Sequence, residues 1–146
     1  MNGLLRVAYA GATAAAHALV AVAPASERKL WRALAGRRGV LQRLERWAAT
    51  HRDVSRPLLW MHAPSVGEGL QARVILERMR GRRPDVQIAY TYFSPSAVTF
   101  AASVPADVRD YLPIDTTAGV RRALSALRPT ALVFSKLDVW PTLARE

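Results

Sequence analysis

The residues best suited to chemistry lie in one short run, His62-Ala63-Pro64-Ser65-Val66-Gly67-Glu68-Gly69. The run begins at the end of the apolar stretch LLWMH and leads into residues with helical apolar spacing. Glu68 would therefore stand in the first turn of a helix, at the carboxyl end of a strand. A carboxylate placed there can take a proton from a sugar hydroxyl. Gly67 and Gly69 leave room for a substrate to approach the backbone, and free helix N–H groups can hold an anion. The same spacing also fits a structural role. Ser65-x-x-Glu68 matches a capping box, with Ser65 capping the helix and Glu68 returning to the Ser65 N–H. An acid in a first turn is also favoured by the helix dipole alone. Spacing leaves both readings open. His62 could contact a substrate phosphate or act as a structural hydrogen-bonder. Lys136 is a further candidate anion contact, and Trp140 reads as core or hinge packing.

The elements that would position these residues alternate. Residues 58–62 read as a buried strand. Ser65 opens a helix on which Val66, Leu70, Val74, Ile75 and Met79 recur at helical spacing, stopped by Gly81 and Pro84. Residues 86–93 (VQIAYTYF) are rich in β-formers. Ser94 and Pro95 start a helix with Val98, Phe100, Ala101 and Val104 inward, ending near Pro105. Residues 108–112 form a short strand. Thr116 or Thr117 caps a helix carrying Val120, Ala123, Leu124 and Leu127, and residues 130–135 (TALVFS) form a last strand before Trp140 and Pro141. Strands alternating with helices of this length imply a Rossmann-like parallel sheet, an α/β fold with ligands outside the carboxyl ends of its strands. Neither a G-x-G-x-x-G after the first strand nor a P-loop pattern is present, so a dinucleotide or nucleoside-triphosphate cradle has no support.

Composition narrows the partners. The 146 residues carry 21 Lys and Arg against 11 Asp and Glu, a formal charge of +10, which favours anionic partners. Lipid headgroups and phosphorylated or carboxylated substrates fit. Nucleic acid is not expected, since no helix-turn-helix or RNA-binding aromatic pattern occurs. There is no Cys, which excludes disulfides and thiolate zinc sites, and His17, His51 and His62 lack ligand spacing, so no metal is expected.

The N-terminus reads as a membrane-associated helical segment. Residues 4–23 form an apolar stretch about long enough to span a bilayer, though it contains Arg6 and His17. A cleaved signal peptide competes with an anchor or interfacial helix over residues 1–24. Residues 25–56 then form a basic amphipathic segment with Leu30, Trp31, Leu34, Leu41, Leu44 and Trp47 among its Arg and Lys. Basic residues after an apolar stretch favour a cytoplasmic placement, Trp31 and Trp47 suit a membrane interface, and the arginines suit anionic headgroups. The alternative is an ordinary helix pair packed on the domain of residues 57–146.

HAPSVGE after an apolar strand resembles the HAxSVGE signature of the Kdo transferase family. TYFSPSA resembles the family's T-x-T-x-T-G/S segment, YLPIDTTAGVRRALSALRP its YLPxD…VRRFLxxxRP stretch, and Asp138-Val139-Trp140-Pro141 its E-L-W-P. The basic run around residues 29–39 resembles the region after the family's membrane anchor. The resemblance implies the N-terminal half of a two-domain GT-B glycosyltransferase on the cytoplasmic face of the inner membrane. It implies transfer of Kdo from CMP-Kdo to a lipid A precursor, with inversion and without a metal or other cofactor. Glu68 would be the general base, and Ser65, Gly67, His62, Lys136 and Asp138 would bind substrate. The acceptor would sit on this half, while the CMP-sugar would sit on a C-terminal domain expected to lie outside this chain. One departure is marked. Where the family has acids before L-W-P, this chain has Lys136 and then Asp138, inverting a charge beside the site. That leaves room for a GT-B enzyme with another lipid-linked acceptor, or for a non-catalytic lipid- or partner-binding module.

Overall fold

The computed structural model describes residues 3–26, 28–136 and 138–146. Met1, Asn2, Glu27 and Leu137 lie outside the described residues. They fall within the expected N-terminal helix, the basic segment and the stretch after the fourth strand.

Three helices come first: α1 (Gly3–Val22), α2 (Lys29–Gly36) and α3 (Val40–His51). An alternating run follows: β1 (Leu58–His62), α4 (Val66–Arg82), β2 (Gln87–Tyr92), α5 (Ala97–Ala101), β3 (Val108–Tyr111), α6 (Thr117–Leu127), β4 (Ala131–Phe134) and α7 (Pro141–Arg145). The sheet has four strands in the order β3-β2-β1-β4, every pair parallel. This is the α/β parallel sheet expected from the alternation.

The order sets the geography. From β1 the chain steps outward to β2 and β3, then returns to place β4 on the other side of β1. The order therefore reverses between β1 and β4, and the carboxyl ends of those two strands flank the switch point where open α/β sheets bind ligands. Right-handed crossovers put α4 and α5 on one face and α6 on the other. The packing agrees, with α4 against α5 and α3 against α6. β1 and β2 are buried along their whole length, whereas β4 is an edge with Ala131 and Val133 exposed.

Periodicity placed some faces correctly and others wrongly. Val120, Ala123 and Leu127 of α6 are buried with Leu124 packed beside them, and the Thr116 hydroxyl accepts from the Gly119 N–H at 3.2 Å. On α4 the buried residues are instead Gly69, Ala72 and Leu76. Val66 and Met79 touch the core, but Leu70, Val74 and Ile75 are exposed, as is Val98 on α5. The reason is space. A Cβ at Gly69 would lie 2.5 Å from Phe100 Cε1 and 2.8 Å from Tyr90 Oη, so only small residues bring α4 this close to β2 and α5. Gly69 thus serves packing rather than substrate access. α5 is also shorter than expected, giving way to turn residues after Ala101.

The basic segment is built into the protein. Val40, Leu41 and Leu44 of α3 belong to the main core, and Trp47 packs against it. Trp31 packs on a smaller cluster of Val20, Ala23 and Leu34. The two indoles expected at a membrane interface therefore lie half-buried on protein. Gly39 caps α3 at φ 71°, a left-handed conformation that glycine adopts without steric cost. α1 presents Tyr9, Thr13 and Val20 to the domain, while Leu4, Val7 and Val22 point outward and are exposed.

Candidate active site at the sheet switch point

Glu68 stands in the first turn of α4, directly after β1, with its side chain 18% exposed. It is neither sealed in the core nor free in solvent. The expected capping box does not form: Ser65 sits at the N-cap but makes no side-chain cap bond. Its hydroxyl donates instead to Glu68 Oε2. The Lys136 ammonium donates to the other oxygen, Oε1, at 3.1 Å. The Ser65 hydroxyl first, then Lys136, hold the Glu68 carboxyl down from its ordinary 4.5 to about 2. Gly67 is exposed, and a Cβ there would meet only the Ser65 hydroxyl at 3.8 Å, so this glycine does leave open space at the turn.

β4 supplies the opposite wall. The Ser135 N–H donates to the His62 carbonyl at 2.8 Å, and the Ser135 hydroxyl lies 3.4 Å from the Glu68 carbonyl oxygen. Lys136 follows with φ 62°, a left-handed backbone that sends its side chain toward Glu68. The topology thus brings Ser65, Gly67, Glu68 and Lys136 together.

His62 is placed differently. Its side chain is 0% exposed, so it cannot meet a substrate phosphate directly. Nδ1 lies 3.0 Å from the Thr91 carbonyl oxygen and 3.1 Å from the Thr91 hydroxyl, which also accepts from Trp60 Nε1 at 2.9 Å. Nε2 points toward Asp138 Oδ2 at 3.5 Å and makes no hydrogen bond. Burial pushes the imidazole down from 6.5 to about 4, with Asp138 pulling the other way. Phe134 and Trp140 meet the ring edge-on. His62 therefore lies beneath the surface, with Asp138, whose side chain is 43% exposed, between it and solvent.

Two supports were not visible in the sequence. Arg37, buried in the α2–α3 turn, donates to the Phe93 carbonyl at 3.0 Å and lies 4.0 Å over the Phe93 ring, which stacks on Trp140. Burial pulls this guanidinium down to about 10. Asp115, 1% exposed, accepts from the Thr142 and Leu143 N–H groups, each at 2.8 Å, and from the Tyr9 hydroxyl at 2.6 Å. It caps α7 and ties α1 to the domain. No local pattern marks the Arg37–Phe93 contact or the partners of Asp115, because these contacts join residues far apart along the chain.

Two hollows lie away from Glu68. One of about 210 Å³ lies between α1 and the α2–α3 turn, lined by His17, Val20 and Arg38 among others. Another of about 350 Å³ lies between α1 and α7, beside Tyr9 and Arg145. Among the described residues no cluster of His, Asp and Glu could hold a metal ion.

A parallel α/β sheet whose strand order reverses between β1 and β4 defines a Rossmann-like domain. Residues 34–146 match the family model described as 3-deoxy-D-manno-octulosonic-acid transferase (kdotransferase), and the chain belongs to that family, as its N-terminal domain. The chain is 32% identical over 94 residues to 3-deoxy-D-manno-octulosonic acid transferase of Rickettsia felis, covering 63% of this chain and 20% of that protein. It is 30% identical over 120 residues to a probable mitochondrial 3-deoxy-D-manno-octulosonic acid transferase of Arabidopsis thaliana, covering 77% and 26%. The Haemophilus influenzae enzyme of the same name is 27% identical over 93 residues, covering 60% and 21%. The matches span about a fifth to a quarter of these relatives.

Proposed function

We propose that this chain is the acceptor-binding, general-base half of a glycosyltransferase that moves Kdo from CMP-Kdo to a lipid A precursor at the cytoplasmic face of the inner membrane. The observation that carries the reading is the partly exposed Glu68 carboxylate at the β1–β4 switch point. In the reaction an acceptor hydroxyl attacks the anomeric carbon of the donor. Its proton passes to Glu68, a C–O bond forms on the face opposite the leaving group, and the bond to CMP breaks. Ser65 and Lys136 orient the carboxylate, Gly67 leaves the approach clear, and Asp138, backed by His62, faces the acceptor from the β4 side. A second Rossmann-like domain would bind the CMP-sugar and cover the open edge.

α1 supports attachment to the membrane. It is one helix long and apolar enough to cross a bilayer by length and composition, and its outward Leu4, Val7 and Val22 are exposed. The chain's +10 charge favours anionic headgroups.

The test is Glu68→Gln in the active protein that contains this chain, assayed with CMP-Kdo and a lipid A precursor. Turnover should drop by about 10²-fold or more with the unfolding midpoint unchanged. Full activity in that variant would remove Glu68 from the chemistry. A non-catalytic lipid-binding module would then remain, and flotation on anionic against neutral vesicles would test it.

A further inference from the structure

We propose that Lys136 is a positioning residue for Glu68, its ammonium clamping one carboxylate oxygen while Ser65 holds the other. The inference rests on Glu68 being the proton acceptor, and it names what sets that group's orientation and strength.

The geometry has three parts. First, the two oxygens of Glu68 are held from opposite walls of the switch point, Oε2 by Ser65 on the β1–α4 turn and Oε1 by Lys136 after β4. A carboxylate gripped at both oxygens has one orientation, with its remaining lone pairs left toward the open side. Second, Lys136 holds φ 62°, a left-handed conformation that a non-glycine residue adopts only at a steric cost. A surface lysine with nothing to do has no need of that backbone, whereas this one uses it to reach back over the first turn of α4. Third, the grip is reversible. The Lys136 side chain is 56% exposed, and ion pairs in such exposed places add little to stability. An incoming anionic acceptor can therefore draw the ammonium off at small cost, leaving Glu68 a stronger base when substrate arrives.

Among the described residues, the neighbouring titratable group that feels the Glu68 charge is Tyr90 of β2, whose hydroxyl is pushed up to about 12 by burial first and then by Glu68. It stays neutral across the working range. Lys136 is thus the only charged group named against the carboxylate among the described residues.

The experiment follows the Glu68 carboxyl carbon by NMR against pH in the ¹³C-labelled chain, assigned by its loss in Glu68→Gln. The wild-type midpoint should lie well below that of an ordinary glutamate. Lys136→Met should raise it by about one pH unit, and Lys136→Arg should restore it. Lys136→Gly removes the ammonium while keeping the left-handed backbone free of strain, and should match Met. The urea unfolding midpoint should stay close to the wild-type value in each, which separates tuning from folding. A midpoint moved by less than about half a unit in both Met and Gly variants overturns the inference. The base reading fails separately, by Glu68→Gln retaining turnover, and that result would leave the titration data standing.

Discussion

Glu68 and Asp115 are two acids beside helix N-termini with opposite fates. Asp115 is sealed, and its carboxylate accepts two N–H groups of α7 and the Tyr9 hydroxyl. Glu68 is partly open, held by a serine hydroxyl and an exposed lysine. Asp115 is committed to structure, because each of its partners is backbone or a docked helix. Glu68 is held by side chains that can move. A carboxylate is available for chemistry when its partners are exposed and replaceable, and nearness to a helix N-terminus does not decide this.

The largest break in the comparison should come from Asp115→Ala. Removing a buried charged acceptor with three donors should lower unfolding free energy by about 3 kcal/mol or more, read from urea denaturation. Glu68→Gln should cost under about 1 kcal/mol in the same assay. Equal losses would erase the distinction between the two acids.

Next in size is a pH effect centred on His62. Its buried imidazole is lowered from 6.5 to about 4 in the fold, chiefly by burial, with Arg37 of the α2–α3 turn adding to the shift and Asp138 of the β4–α7 loop opposing it. The unfolded chain binds this proton first as pH falls. Stability contributed by the neutral ring is therefore full above 6.5 and drains as pH drops toward 4. Denaturation midpoints should decline from pH 6.5 to 5, ahead of the carboxylates. Asp138→Asn, by removing the opposing charge, should extend the decline to lower pH. A flat profile over that range would show the ring to be solvated.

The two glycines of the turn sharpen the same contrast. Gly69→Ala drives a methyl into Phe100 and Tyr90 and should cost about 1–3 kcal/mol. Gly67→Ala meets open space and should be neutral or stabilising by up to about 1 kcal/mol, so any loss of transfer in it reports on substrate access. Tyr9→Phe, about 1 kcal/mol, tests whether α1 stays docked through Asp115. Protease sensitivity of α1 should rise in parallel.

Much of the fold was legible. LLWMH is a strand over the expected residues because four apolar side chains in a row, followed by a histidine, must be buried on both faces. α6 faced the way its periodicity said, since its apolar residues lie on one side only. α4 misled because large apolar residues line its outer side while Gly69, Ala72 and Leu76 make the contact. Of the site, Ser65, Gly67 and Glu68 were readable from one local run. His62 was readable as polar at a strand end, but its burial was not.

The sequence by itself determined the order of strands and helices, the family, and the carboxylate of the β1–α4 turn, because each is written in contiguous residues. Only the tertiary structure decided what that carboxylate touches. Lys136 lies 68 positions from Glu68 along the chain, and Asp115 lies 106 from Tyr9. The first pair forms only when the strand order reverses between β1 and β4, and the second only when α1 docks on the domain. Local periodicity carries no term for that reversal.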